Sequence, residues 1–89
     1  MNESNNLTGK EKRILKSTAK VREVDIKIGK NGLTRNVILE IQTILNRDNM
    51  VKVSFNEERS KRKKLIESLQ NSIDLTLIEL VGKTATFIV

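Results

Sequence analysis

The sequence predicts an α/β domain of the α+β kind, with the element order α-β-α-β-α-β-β and a four-stranded mixed sheet. Three observations lead to this prediction. Apolar residues recur at helical spacing in three segments. They alternate with polar residues in four other segments. Gly82-Lys83 separates the last two of these alternating segments. Strands joined through a helix pair in parallel by right-handed crossovers, whereas a two-residue connection makes an antiparallel hairpin. The 89 residues suffice for one domain with one modest core.

The first helix is predicted from Gly9 to Lys20. Thr8 and Glu11 have the spacing of a capping box, in which each side chain accepts a hydrogen bond from a backbone amide at the helix start. At about 100° per residue, this helix has an apolar side and a basic side. The apolar side comprises Ile14, Leu15, Thr18 and Ala19, and the basic side comprises Lys12, Arg13, Lys16 and Lys20.

The first strand and the second helix flank a glycine turn. Val24, Ile26 and Ile28 alternate with polar residues, which is typical of a strand with one buried face. After the turn, apolar residues between positions 37 and 45 form one stripe of a helix that runs from about residue 34 to 46, with Thr34 as its N-cap. Leu39 lies off that stripe and is expected to be exposed.

The C-terminal half continues the succession of strands and helices. Residues 50–55 predict a second strand, and Asn56 is the expected N-cap of a third helix with apolar positions at 65, 66, 69 and 73. Residues 75–81 and 84–89 predict two further strands. Gly82 suits the first position of a type II′ turn between them.

Composition excludes several classes of protein. The chain has no Cys and no His, so it lacks a thiol nucleophile, an imidazole base and the usual ligands of zinc and iron. We therefore expect no enzyme activity, no metal and no cofactor. No apolar stretch approaches the roughly 20 residues that span a bilayer, and the N-terminus has no apolar signal segment. We expect a cytoplasmic monomer without a membrane or small-molecule partner, with residues 1–6 disordered and residues 7–89 folded.

Positive charge is concentrated in two segments. The 17 basic and 11 acidic residues give a formal charge of +6, which favours a polyanionic partner, with nucleic acid ahead of anionic membrane. Residues 1–32 hold eight basic and four acidic residues, and residues 49–64 hold six and two. The run 59–64 in the second segment points several ways around its helix, so a phosphate-facing role for it is secondary.

A Gly-x-x-Gly turn is the motif with the clearest chemistry. It consists of Gly29, Lys30, Asn31 and Gly32 and lies where a strand ends and a helix begins. Glycine allows the backbone to approach a phosphate, the helix N-terminus offers free amides, and Lys30 adds a charge. The alternative is an ordinary tight turn that binds nothing. The basic side of the first helix indicates the same ligand class and so favours phosphate binding.

Three segments, LTGKEKRILKSTA, IKIGKNGLTRNVILEI and VGKTATFIV, resemble a CRM domain, most closely its single-domain bacterial form, over residues 7–89. The resemblance implies a two-layer α/β fold similar to the C-terminal domain of a bacterial translation initiation factor. It also implies RNA binding through the GxxG loop and neighbouring basic residues. Bacterial members associate with precursors of the large ribosomal subunit, so the implied role is ribosome assembly and the implied partner is precursor ribosomal RNA.

The resemblance maps onto particular residues. The implied RNA-binding set comprises Gly29, Lys30, Asn31 and Gly32 of the loop and Lys10, Lys12, Arg13 and Lys16 of the first helix. Lys20 shares the basic side of that helix. Arg35 stands where the family often has an acidic residue and extends the basic surface. Phe87-Ile88 replace a Tyr-Arg pair common in the family, so no RNA contact is expected from the last strand.

Contact with RNA is expected through its backbone and shape. Phe55 and Phe87 are the only aromatic residues, and both are predicted to be buried, so no stacking surface for bases is expected. Two other partners stay open. The basic face could dock an acidic ribosomal protein or assembly factor, or it could bind DNA without sequence preference.

Overall fold

The computed structural model describes residues 8–89, and its elements follow the predicted order. They are α1 (Gly9–Val21), β1 (Ile26–Ile28), α2 (Arg35–Asp48), β2 (Met50–Phe55), α3 (Arg59–Ser72), β3 (Thr76–Val81) and β4 (Thr84–Ile88). The predicted fold class and four-stranded mixed sheet are confirmed. The predicted disordered tail, residues 1–6, lies outside the described residues. Within residues 8–89, none of the helices has both the length and the apolar character of a transmembrane span.

The sheet has the strand order β1-β2-β4-β3. β1 pairs in parallel with β2, and β4 pairs antiparallel with both β2 and β3. The carboxyl ends of β1 and β2 therefore lie at the same end of the sheet, where the chain enters α2 and α3. The β3–β4 turn reaches this end too, since Phe55 N donates to the carbonyl of Lys83 at 2.7 Å. We call this the loop end.

The core lies between one face of the sheet and the helices α2 and α3. Val51, Val53 and Phe55 of β2 point to this face, as do their neighbours Ala85 and Phe87 of β4, and all five side chains are fully buried. The helices supply the rest of the apolar cluster. The predicted burial of both aromatic residues is thus confirmed.

α1 lies on the other face of the sheet. Successive side chains of a strand point to opposite faces of the sheet, so Lys52 lies on the face opposite Val51 and Val53. Its ammonium donates to the carbonyls of Ala19 at 2.9 Å and Arg22 at 2.8 Å, at the C-terminal end of α1. The body of α1 packs against β3, the edge strand furthest from β1. The two-layer arrangement is therefore formed by the sheet with α2 and α3, and α1 is added to the opposite face.

The apolar side of α1 is narrower than predicted. Ala19 is buried and Leu15 is half-buried, but Ile14 is 57% exposed and Thr18 is exposed. The sheet face beneath α1 presents polar side chains such as Lys52, and it offers little apolar surface to cover these residues.

Predicted local signals at three positions are confirmed. Glu11 N donates to Thr8 Oγ1 at 3.1 Å and Thr8 N donates to Glu11 Oε1 at 3.4 Å, which completes the capping box. Gly82 has a φ of 57°, as the first position of a type II′ turn requires. Leu39 is 50% exposed, as expected of a residue off the apolar stripe.

Two element boundaries were predicted wrongly. The first strand is shorter than predicted, because β1 pairs with β2 only over three residues, and Val24 lies outside it with 38% exposure. α3 begins at Arg59, and its N-cap is Glu58, which makes no side-chain capping bond. Asn56 does not cap α3, because it lies two residues before the N-cap, and its Oδ1 accepts a hydrogen bond from Lys83 Nζ at 3.3 Å.

Candidate nucleic-acid interface

The GKNG loop, residues 29–32, closes as a tight turn at the loop end of the sheet. Gly32 N donates to the carbonyl of Gly29 at 3.0 Å. The φ of Gly32 is 65°, a conformation that glycine adopts without strain. A Cβ atom at Gly29 would meet no atom within 4 Å. Gly29, Lys30 and Asn31 are exposed, so the loop presents its first three residues to solvent.

The loop leads directly into the N-terminus of α2. Thr34 is the N-cap as predicted, and its Oγ1 accepts a hydrogen bond from Val37 N at 3.2 Å. Arg35 is the first residue of the helix and is exposed. The first turn contains no acidic residue, so the free amides and the positive end of the helix dipole have no local carboxylate to neutralise them. An anion is therefore favoured here.

α3 is the helix that contacts the loop. A Cβ atom at Gly32 would lie 3.7 Å from Cδ2 of Leu65, so the flank of α3 that carries Leu65 lies against the loop. Lys61 precedes Leu65 by one turn and lies on this flank. Lys64, three residues after Lys61, lies next to Lys61 on the solvent side of the flank. Both lysines are exposed. Two cations of the second basic segment therefore lie near the GKNG loop, although the spread of that segment around its helix indicates only a secondary role for it.

A signal in the sequence could have indicated this neighbourhood. Parallel strands β1 and β2 must place the starts of α2 and α3 at the same end of the sheet. The basic run in the first turns of α3 then has to lie near the loop that follows β1. The run divides between two flanks of α3, with Lys61 and Lys64 towards the loop and Arg59 and Lys63 towards the β3–β4 hairpin.

The predicted residues of α1 lie on a different surface. The set comprises Lys10, Lys12, Arg13, Lys16 and Lys20, and all five are exposed. α1 packs against β3, on the sheet face opposite α2 and α3. Lys20 lines a small cavity with Val81 and Thr84, close to the β3–β4 hairpin. The structure thus brings the four loop residues together with Arg35 and places the α1 set apart from them.

Ion pairs occur at the opposite end of the sheet. Arg22 pairs with Asp25 at 2.8 Å and with Asp48 at 2.7 Å, and Arg47 pairs with Asp48 at 2.9 Å. Hydrogen bonds from Arg47 and Arg22 hold the pKa of Asp48 well below its usual value, and those to Asp25 and Asp48 raise the pKa of Arg22. Among residues 8–89, Lys30 forms no ion pair, and no three carboxylates are placed to hold a metal ion.

Comparisons with known proteins identify the family of this chain. The family model of the CRS1/YhbY (CRM) domain, an RNA-binding family, matches residues 7–88. The chain is also similar to the solution structure of a hypothetical protein from Staphylococcus aureus that is described as a candidate RNA-binding protein. The TM-score is 0.75, with 30% identity over 92% of this chain and 86% of that one. The resemblance in the sequence is therefore confirmed, and the chain belongs to the CRS1/YhbY (CRM) domain family.

Proposed function

We propose that the protein binds RNA through the loop end and acts, as a cytoplasmic monomer, in assembly of the large ribosomal subunit on its precursor ribosomal RNA. The observation that carries this proposal is the exposed turn of Gly29, Lys30 and Asn31 at the N-terminus of α2. Membership of an RNA-binding family supports RNA as the polyanion. The role in ribosome assembly rests on the resemblance to the single-domain bacterial form.

In this proposal the backbone of the loop holds the phosphates. Gly29 allows close approach, because it has open space where a side chain would project. Lys30 and Arg35 supply full charges, and the start of α2 supplies free amides. Lys61 and Lys64 of α3 add charge to the same end. These contacts position RNA without reading much of its sequence.

The basic side of α1 is proposed as a second contact. Its lysines and Arg13 lie on the other face of the sheet, in a domain that measures only 37 × 24 × 23 Å. A folded ribosomal RNA is large enough to reach both surfaces at once. Each phosphate that either surface neutralises releases counterions, so both surfaces would contribute to the salt dependence of binding.

A filter-binding titration against a fragment of large-subunit precursor RNA tests the proposal. For wild type, log K against log salt should fall with a slope of roughly −3 to −4 if four to six phosphates of a single strand are neutralised. Lys30→Ala should weaken binding and reduce the steepness of this slope by about 1. The control is Lys27→Ala, because Lys27 is exposed on β1 and belongs to neither the loop end nor α1, the two proposed contact surfaces. Equal affinities and slopes for Lys30→Ala and wild type would remove the loop from the mechanism.

An acidic protein partner is the competing function. The same exposed cations could dock a ribosomal protein or an assembly factor. Association with large-subunit precursors that survives RNase, together with weak and salt-insensitive RNA binding, would favour that alternative.

Sedimentation with precursors and not with mature ribosomes would support the assembly role.

A further inference from the structure

An open groove of about 1030 Å³ lies between α3 and the β3–β4 hairpin. Its floor is apolar and consists of Ile66 from α3 with Leu77 and Leu80 from β3. Leu80 pairs across the hairpin with the buried Ala85 and so points to the core face, yet it is 53% exposed. The reason is that β3 is the edge strand, while α2 packs over β1 and β2 at the other side of the sheet.

The wall formed by α3 carries cations near the loop end. Arg59, Arg62 and Lys63 line this part of the groove. Arg62 Nη1 donates to the carbonyl of Glu57 at 2.7 Å, whereas Arg59 and Lys63 form no ion pair with any residue of the described range 8–89. Basic residues in the first turns of a helix oppose its dipole, so helix stability does not explain them. A polyanion bound beside α3 would explain why basic residues occur at these positions.

Further along α3 the wall carries hydrogen-bond acceptors. Glu67 and Gln70 line the groove beyond Lys63, and Glu58 lies at the start of the helix. Carboxylate and amide oxygens accept hydrogen bonds from the exocyclic amino groups of nucleobases. The cations match the phosphate of a nucleotide. The apolar floor matches the face of its base, and the acceptors match the edge of its base.

We propose that this groove binds a short unpaired segment of the RNA whose backbone the loop end holds. The phosphates contact Arg59 and Lys63, and a base packs on Leu77 and Leu80. The groove opens towards the loop end, because Gly82 of the hairpin turn lines it. This inference rests on the proposed function, and it adds a preference for RNA with a single-stranded segment, since a duplex keeps its bases stacked inside.

Two RNAs that share one duplex test the inference. One is blunt, and the other carries a single-stranded overhang of cytidines and adenosines, whose amino groups suit the acceptors of the groove. At fixed salt, wild type should bind the overhang RNA about tenfold more tightly than the blunt one. Leu80→Gln should abolish this preference and leave the affinity for the blunt duplex unchanged. Leu39→Gln is the matched control, because Leu39 on α2 is 50% exposed and outside the groove, and it should keep the preference.

The outcomes separate the inference from the proposed function. An unchanged preference in Leu80→Gln would overturn the groove assignment and leave RNA binding at the loop end intact. Absence of salt-dependent binding of either RNA by wild type would overturn both. Amide NMR signals of Leu80 and Gly82 should shift on addition of the overhang RNA and not of the blunt RNA. If Leu80→Gln instead weakened an RNase-resistant association with a protein and kept the overhang preference, the groove would be a peptide site.

Discussion

The ammonium of Lys52 lies 2.9 Å from the carbonyl oxygen of Ala19, so that a lysine of the central strand β2 caps the C-terminus of α1. It also donates to the carbonyl of Arg22 at 2.8 Å. The last carbonyls of a helix have no partner within the helix, and a cation there complements the helix dipole. Because α1 buries little apolar surface beyond Ala19, we expect these hydrogen bonds to help to hold α1 on the sheet.

Lys52→Met should lower the free energy of unfolding by about 2 kcal/mol, since it removes charged hydrogen bonds and leaves partly buried carbonyls without a donor. Met retains most of the apolar stem. Urea unfolding measures the change. Lys27→Met, at an exposed position of the neighbouring strand, should change the free energy by less than about 0.5 kcal/mol. Similar effects of the two substitutions would contradict the capping role.

The two glycines of the GKNG loop should respond differently to alanine. Gly32→Ala should lower the free energy of unfolding by about 1 to 2 kcal/mol, because an L-residue is strained at a φ of 65°. Gly29→Ala should leave stability within about 0.5 kcal/mol and weaken RNA binding, since its Cβ would project into the space that a phosphate approaches. Thermal unfolding and RNA titration of both variants measure this. Full RNA affinity in a stable Gly29→Ala protein would exclude close backbone approach at that position.

Acid should destabilise the protein partly through Asp48. Hydrogen bonds from Arg47 and Arg22 lower the pKa of its carboxyl in the folded state, so the unfolded chain binds the proton more readily. The stabilisation is present above the unfolded-state pKa of about 4 and is lost as the pH falls towards the folded-state pKa. The unfolding free energy of Asp48→Asn should therefore change less between about pH 5 and pH 2 than that of wild type. Denaturant titrations at several pH values, with Glu40→Gln as the control, measure this, and parallel curves for Asp48→Asn and wild type would contradict it.

RNA length should distinguish the two basic surfaces. Lys61→Gln/Lys64→Gln should weaken binding of a short RNA hairpin and reduce the steepness of its salt slope by up to about 2, because both lysines flank the loop. Lys12→Gln/Lys16→Gln should leave the hairpin affinity nearly unchanged, because α1 lies on the other face of the sheet. On a long precursor fragment both double variants should bind more weakly. A short-hairpin defect confined to the α1 variant would place the primary contact on α1.

Three features that depend only on neighbouring residues were predicted correctly. The capping box of Thr8 and Glu11, the N-cap Thr34 and the positive φ of Gly82 each follow from a few adjacent positions. The predicted cap at Asn56 was wrong, because α3 begins only at Arg59, and the Asn56 side-chain oxygen instead accepts a hydrogen bond from Lys83, 27 positions away. No local pattern contains such a contact.

The sequence by itself determined the order of helices and strands, the burial of both phenylalanines and the position of the GKNG loop between a strand and a helix. These features depend on periodicity and turn chemistry over a few residues. Only the tertiary structure decided which basic residues share a surface. Parallel pairing of β1 with β2 places the start of α3 beside the loop. α1 packs on the polar face of the sheet. Charge spacing along a chain does not specify strand order or the face on which a helix packs, because both depend on contacts between distant residues.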